Sequence, residues 1–567
     1  MTNSQGSGGE WGPVTRRDIA RSAAGGMFAS GLMGYAGSSW AAPPAMRAGA
    51  SGVANVQAFG AIGNGQQDDT ESIRAAVAHC GATGSSLYFP AGIYAITGPI
   101  AIITRIGFTI CGDGYASCIR PRSGGNYIPI FVQGADFSMI SGMHLRDFRI
   151  DANGTGQLDT GVITFNNVAG SISQMWLENG TRAQGSSGQN GVSCSAGRNG
   201  GAEPQVLIIN NVIRHFSKAG INFTSGGARA VISCNVISDI SGNGTAPGIQ
   251  INGGRNAIVA HNHIYNIEGT GIYIATDSLG HRSLNANISN NIVQKCGVSS
   301  RSQGDGILVT STDMSDSYIV IEGNQAFGNG TSANGGCGIR IENCDNAVIS
   351  GNSCHHNTLD GIRVSNSSYI QLAGNRCGGN NVARVEYAGG IQLRGKGKHI
   401  SITGNHLASR EETQSYAIIA DADAELSCVT VAANHVTGNA LGTIYWQAKG
   451  HQLDVEIAVE QRTSGRDPKA VLVWRVDPSS TCWFDVTMTA RQIDGQRDGV
   501  YLREMAYRLQ GSQLIQEEST TARAVPPDHS GWGGVTFASS RDYAVVRVAG
   551  DTDSVVAWSG SVRIRSS

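Results

Sequence analysis

A short phrase recurs through the middle of the chain and restricts it to one kind of architecture. It opens on Gly-Ile, at Gly220, Gly248, Gly271, Gly306, Gly338, Gly361 and Gly390, and closes on an asparagine, at Asn235, Asn262, Asn291, Asn324, Asn352, Asn375 and Asn405. Two residues beyond each asparagine stands a small or apolar side chain, in the series Ile237, Ile264, Val293, Ala326, Cys354, Cys377 and Leu407. Self-similarity at a period of about 20–50 residues marks units that stack, each burying the apolar face of the next. The shortest coils, Gly248 to Gly271 and Gly338 to Gly361, are 23 residues long. That length holds three short strands and tight turns and leaves no room for paired helices. The expectation is an all-β chain whose residues 55–445 form a parallel β-helix.

Composition agrees. Of 567 residues 78 are glycine and 13 proline, and charged residues make up 15%. This suits tightly turning β-structure better than helical bundles. The net charge of −2 provides no global field for nucleic acid or an anionic membrane, so neither is expected as a partner. The recurring asparagines are expected to be structural, placed where left-handed backbone is tolerated and stacked amides hydrogen-bond along the ladder. Among the 12 cysteines, Cys354 and Cys377 fall in the inward apolar series and are read as packing residues, not a redox pair.

At the N-terminus, Thr15-Arg16-Arg17-Asp18-Ile19 precedes a small-residue run from Ala23 to Ala36 and then Ser39-Trp40-Ala41-Ala42-Pro43. A charged region, a mildly apolar stretch and small residues at a cleavage point form an export signal, here over residues 1–42, with a linker at 43–54. The paired arginines resemble a twin-arginine signal, although Asp18 replaces the commoner uncharged residue. A periplasmic or secreted protein is expected, with no membrane insertion after cleavage.

Residues 55–99 read as strand, glycine turn, helix and strand. Asp68 or Asp69 is placed to cap a helix with Ile73, Ala76, Val77 and Cys80 on one face. Phe59-Gly60-Ala61, Asn64-Gly65, Asp68-Asp69-Thr70 and Tyr88-Phe-Pro-Ala-Gly-Ile-Tyr94 closely resemble the start of the pectate-lyase-superfamily domain shared by polysaccharide-acting enzymes and phage tailspikes. The resemblance implies a right-handed parallel β-helix (solenoid) whose open end is plugged by the short helix. It carries no catalytic residue. Residues 450–567 are richer in charge and tryptophan, and their alternating stretches at Asp454, Val471, Trp483, Tyr543 and Ser554 suggest a β-sandwich-like domain. Its closing segment resembles terminal domains of phage tail proteins, which implies attachment and is compatible with a homotrimer.

Rung position locates candidate chemistry. Equivalent residues on adjacent coils stand about 4.8 Å apart, and those on alternate coils about 9.6 Å. Two residues after each phrase glycine lie Asn222, Gln250, Tyr273, Leu308, Arg340, Arg363 and Gln392, and two further on Thr224, Asn252, Ala275, Thr310, Glu342, Ser365 and Arg394. These outward rows predict a polar floor for a sugar chain. From Gly-Ile to asparagine most coils take 14 or 15 residues, but Gly271 to Asn291 takes 20 and Gly306 to Asn324 takes 18. The two insertions are expected to project as a wall bearing Asp277, His281, Arg282, Asp313 and Asp316.

Glycoside hydrolysis requires two carboxyl groups, about 5–5.5 Å apart for retention and about 6.5–9.5 Å for inversion. Asp305 and Asp360 each precede a phrase glycine, with Cys337 on the rung between, and match the wider spacing. Aspartate before Gly-Ile is equally an ordinary turn residue. Lyase chemistry on a uronate instead requires cations on the carboxylate and a base for the α-proton, roles that suit Arg340, Arg363 and His281. A second basic group comprises Arg394, Lys396, Lys398, His399 and Arg410. The chain lacks the calcium-binding aspartates of calcium-dependent pectate lyases and the paired-Asp and Gly-His-Gly signatures of polygalacturonases. No metal or cofactor motif is present. The sequence therefore supports a lyase or glycoside hydrolase acting on a polysaccharide, with a non-catalytic tailspike-like adhesin or carbohydrate-binding structural protein as the alternative.

Overall fold

The computed structural model describes residues 52–566, except 155–159, 181–187, 196–203, 225–228, 243–245, 277–284, 299–303, 334, 465–468, 476–480, 493–499, 511–512, 525–533, 541–542 and 550–554. The export-signal stretch lies outside the described residues. The solenoid has about 12 turns. Strands of successive coils pair in parallel, each with its equivalents one coil before and one coil after. Three stacked faces result. The first runs from Ile100–Thr104 through Ile249–Asn252, Ile272–Ala275 and Ile362–Ser365 to Gly442–Trp446. The second includes Arg229–Ser233, Ile370–Ala373 and Lys396–Thr403. The third includes Arg149–Asp151, Trp176–Glu178, Val212–Phe216 and Arg376–Gly378.

The phrase glycines have a steric origin. A Cβ on Gly248, Gly271, Gly306, Gly338 or Gly361 would stand 2.6–2.7 Å from the carbonyl oxygen of the corresponding glycine on the next coil. Only a residue without a side chain lets the coils approach at this corner. The isoleucine that follows is fully buried in every coil from Ile221 to Ile391.

The asparagines form a ladder. Asn291, for example, donates its backbone N–H and Nδ2 to Asn324 Oδ1, both at 2.9 Å, and donates Nδ2 to the Val259 carbonyl at 2.8 Å. The pattern continues from Asn211 to Asn434. One expectation is corrected. Left-handed backbone falls on the residue before each ladder asparagine, at Asn210, Cys234, His261, Asn290, Gly323, Gly351, Gly374, Gly404 and Ala433. The turn thus uses one residue for its φ and the next for its amide. A second file begins at Asn329 and runs through Asn357 and Asn380 to Gln414 and Asn439. Cys354 and Cys377 are paired in register, fully buried and free, as packing residues.

At the N-terminal end the helix Thr70–Thr83 buries Ile73, Ala76, Val77 and Cys80 against the first coil. Asp68 accepts the Thr70 N–H at 3.1 Å, while Asp69 turns back to the Ile62 and Gly63 amides. At the other end, Lys449–Ser464 pairs in parallel with the last full coil and antiparallel with Val555–Ser566. Lys469–Arg475 does the same between Gly442–Trp446 and Tyr543–Ala549. The parallel ladder therefore passes without a break into antiparallel strands.

Candidate functional site

On the first face the outward row reads Tyr273, Leu308, Arg340, Arg363, Gln392, Ile419 and Tyr445, each in register with the next. Beside it runs Ala275, Thr310, Glu342, Ser365 and Arg394. Strand alternation turns both rows away from the core, as expected. The row is not uniformly open, however. Arg363 is buried and Gln392 is fully buried.

Asp305, Cys337 and Asp360 lie on successive rungs, since Gly271, Gly306 and Gly338 donate their N–H groups to these three carbonyls in turn. The two carboxyl groups are buried, at 1% and 0% exposure, and each accepts an amide of the next rung at 2.7 Å: Cys337 N–H on Asp305, Gly389 N–H on Asp360. Asp360 also holds Arg363 through Nε at 2.9 Å and Nη2 at 2.6 Å. This is a closed pair. Asp305 differs, because its Oδ2 accepts no hydrogen bond and lies 3.5 Å from Arg340 Nη1. Burial pushes the Asp305 carboxyl above the usual carboxylate range, against the opposing charge of Arg340.

Arg340 is the open member of the cluster. Its side chain is 16% exposed and reaches Asp305 on one side and Glu342 on the other, donating Nε to Glu342 Oε1 at 2.7 Å. Glu342 is 27% exposed. Tyr273, two rungs away and half-buried, has its phenol pushed up by burial and by the charge of Glu342. Tyr273, Asp305, Arg340 and Glu342 thus form one neighbourhood, with Asp360 and Arg363 one rung beyond Arg340.

Further along, Gln392 and Arg394 are brought together on Asp421, a residue the row pattern does not mark, with Gln392 Nε2 at 3.0 Å from Oδ1. Beyond them Tyr445 is sandwiched between Tyr387 and Tyr416, with ring centroids 5.0 Å apart on each side. Tyr387 is exposed. Tyr445 occupies the row position of Arg340 four rungs later, and extending the row past the last Gly-Ile phrase would have found it. The second basic group divides, since Lys398 and His399 pack on Tyr369 at the second face while Lys396 pairs with Glu425.

Asp277, His281 and Arg282 lie outside the described residues, as do the side chains of Asp313 and Asp316. The second insertion is not a projecting loop. Its backbone is absorbed into the strand Ile307–Glu322 by register shifts between Thr310 and Ser315 and between Asp316 and Ile319. A bulge takes up extra residues without breaking the ladder.

Residues 53–298 match the family described as rhamnogalacturonase A/epimerase, pectate lyase-like, and residues 331–456 match the right-handed beta helix region. The chain is a right-handed parallel β-helix protein, pectate-lyase-like over residues 53–298. Of the solved structures similar to this β-helix protein, the pre-mature bacteriophage phi29 gene product 12 shares 14% identity at a TM-score of 0.52, covering 70% of this chain and 55% of that one. The Azotobacter vinelandii mannuronan C-5 epimerase AlgE4 A-module shares 19% identity at a TM-score of 0.48, covering 70% and 97%. The Dettilon tailspike protein shares 15% at 0.43, covering 91% and 95%. No curated protein sequence matches. Among the described residues no helix is long and apolar enough to cross a membrane.

Proposed function

We propose that this β-helix protein binds an acidic polysaccharide along its first face and cleaves it by β-elimination at the Arg340 cluster. The observation that carries the reading is the partly exposed Arg340 guanidinium, fixed between Asp305 and Glu342 two rungs from the Tyr273 phenol. A guanidinium held in this way pairs with a uronate carboxylate and makes the adjacent C–H more acidic. Glu342 takes that α-proton, the carbon–oxygen bond on the neighbouring ring carbon breaks to leave a double bond, and Tyr273 returns a proton to the departing oxygen. Hydrolysis by the Asp305–Asp360 pair is less well supported, because both carboxyl groups are buried and bound to backbone amides. Here Asp305 orients Arg340, and the Asp360–Arg363 pair flanks it on the next rung. Gln392, Arg394 and the tyrosine sandwich continue the floor, and the polysaccharide lies along them. Asp277, His281, Arg282, Asp313 and Asp316 are given no step of their own.

The test incubates the protein with acidic and neutral polysaccharides and reads unsaturated-uronate absorbance beside reducing ends. Arg340→Ala and Glu342→Gln should each lower the rate by about two powers of ten or more, the usual effect of losing a preorganised charge or a general base. Reducing ends without absorbance would replace the lyase by a hydrolase. A second reading, a non-catalytic adhesin, draws on the closed Asp360–Arg363 pair, which suits a rigid binding floor. Binding without product, by a trimer in analytical ultracentrifugation, would favour it. The export reading is tested by N-terminal sequencing of the secreted protein, which should begin near Pro43.

A further inference from the structure

The third face carries a second cluster, in the early coils, that has no part in the site above. Arg149 and Trp176 are in register on adjacent rungs, as are Asp151, Glu178 and Arg214 on three successive rungs. Glu178 is the hub, 2% exposed. One oxygen accepts Trp176 Nε1 at 2.9 Å and Arg214 Nε and Nη2 at 2.9 and 2.7 Å, while the other meets Arg149 Nη2. Asp151 lies 3.4 Å from Arg149 Nη2 and 3.5 Å from Arg120 Nε. The guanidiniums cover aromatic rings: Arg149 sits 4.7 Å from the Tyr115 centroid and Arg214 4.9 Å from that of Trp176, and the two rings meet edge to face at 4.8 Å. The result is a pair of touching aromatic rings, each carrying a guanidinium.

Three features make this more than a surface ion-pair group. Among the described residues Arg120, Arg149 and Arg214 pair with two carboxylates, Asp151 and Glu178, so the described cluster carries one positive charge in excess. Arg149 Nε is buried and donates to no acceptor, while the Arg120 and Arg214 side chains are 44% and 37% exposed and Tyr115 is 45% exposed. The row holding Arg214 also continues in register to Tyr265, Phe327 and His355, all half-buried, with Phe327 stacked on His355 at 4.8 Å. From Arg214 to His355 is five rungs, about 24 Å along the axis.

We infer that this strip is a second glycan site, which holds an acidic oligosaccharide lengthwise along the third face without cleaving it. Aromatic rings take the apolar faces of sugar rings, and the exposed guanidiniums take carboxylates. Because Glu178 already fixes Trp176, Arg149 and Arg214, little side-chain freedom remains to be lost on binding. Both carboxylates are committed to guanidiniums, so neither offers a proton to a glycosidic oxygen. The site lies on a different face from Arg340 and does not depend on the cleavage reading. A holding site on one face and a reacting site on another would keep a long polymer bound between events.

The test uses full-length protein carrying Arg340→Ala, titrated calorimetrically with hexagalacturonate and hexamannuronate, with maltohexaose as the neutral control. At least one acidic hexasaccharide should bind and maltohexaose should not. Adding Tyr115→Ala or Arg214→Gln, both at exposed side chains, should weaken that binding tenfold or more, and raised salt should weaken it further. The inference is overturned if neither acidic hexasaccharide binds the Arg340→Ala protein, if both added substitutions leave affinity within twofold, or if maltohexaose binds equally well. Product formation by the wild-type protein is read separately, so failure of either idea is visible without the other.

Discussion

Replacing Asn352 by alanine should loosen the solenoid locally and by an amount the hydrogen bonds allow to be counted. Asn352 is 1% exposed. Its Oδ1 accepts the Asn324 N–H at 2.9 Å and Asn324 Nδ2 at 3.0 Å, and its Nδ2 donates to the Ile321 carbonyl at 2.9 Å. Alanine takes the bond from the Asn324 N–H and from the Ile321 carbonyl, while Asn324 Nδ2 keeps the Ile288 carbonyl at 2.8 Å and Asn375 Oδ1 still receives the residue 352 N–H. Stripping the partner from a buried polar group costs about 1–3 kcal/mol, so the sum for two groups is about 2–6 kcal/mol, and the expectation is about 4 kcal/mol. Long repeat arrays do not unfold in one step, so a single midpoint would average the effect away. Amide hydrogen exchange resolves it. Protection at Asn324 should fall by between two and three powers of ten, since every 1.4 kcal/mol is tenfold, and amides several coils away should be unchanged. A loss below tenfold at Asn324, or one spread evenly along the chain, would refute the view that each ladder asparagine secures its own rung.

Three further outcomes follow from the charges and thiols. The Asp305 proton is held more tightly in the folded chain than in the unfolded one, so its contribution favours folding below pH about 3.9 and is lost as pH rises through the raised folded value. Asp305→Asn should therefore flatten this part of the stability profile, and parallel wild-type and variant profiles between pH 4 and 7 would contradict the assignment. Burial raises the Glu178 carboxyl, but the Trp176 and Arg214 hydrogen bonds and the Arg149 charge outweigh it and hold the group low. Glu178→Gln should cost about 3–5 kcal/mol at neutral pH, as for a broken buried pair, and the difference should shrink as pH falls from about 4.3 through the lowered value. Denaturation at pH 7 and pH 2 checks both halves. Alkylation of native protein at pH 8 should label exposed Cys234 well before Cys296 and Cys337, whose thiols burial pushes up; equal rates would show that those coils open.

Where the sequence repeats, it revealed its own geometry. The spacing from Gly-Ile to asparagine named the inward isoleucines, the ladder and the rung order Asp305–Cys337–Asp360, because a coil that must close on the same footprint leaves little freedom in register. Period two indicates which face a side chain leaves from but not what lies over it, which is why Arg363 and Gln392 were expected open and are buried. The second amide file has a fainter signal: Asn329, Asn357, Asn380 and Asn439 each follow a ladder asparagine by five residues, but Gln414 breaks the count. The Glu178 cluster had no such signal. Its members are separated by 27 and 36 residues in coils that precede the regular phrase, so nothing short of the folded ladder brings them together.

The two ends of the solenoid bear on a property that no single coil possesses. A parallel stack is an open series, and each terminal coil offers a row of unpaired backbone groups to any similar edge. The helix Thr70–Thr83 closes one end, and Lys449–Ser464, paired in parallel behind and antiparallel ahead, converts the other into strands that run back on themselves. The number of coils is thereby a terminated count. A chain cut just before residue 449 would keep every coil intact yet present a bare templating edge, and the expected product is a filament of stacked molecules.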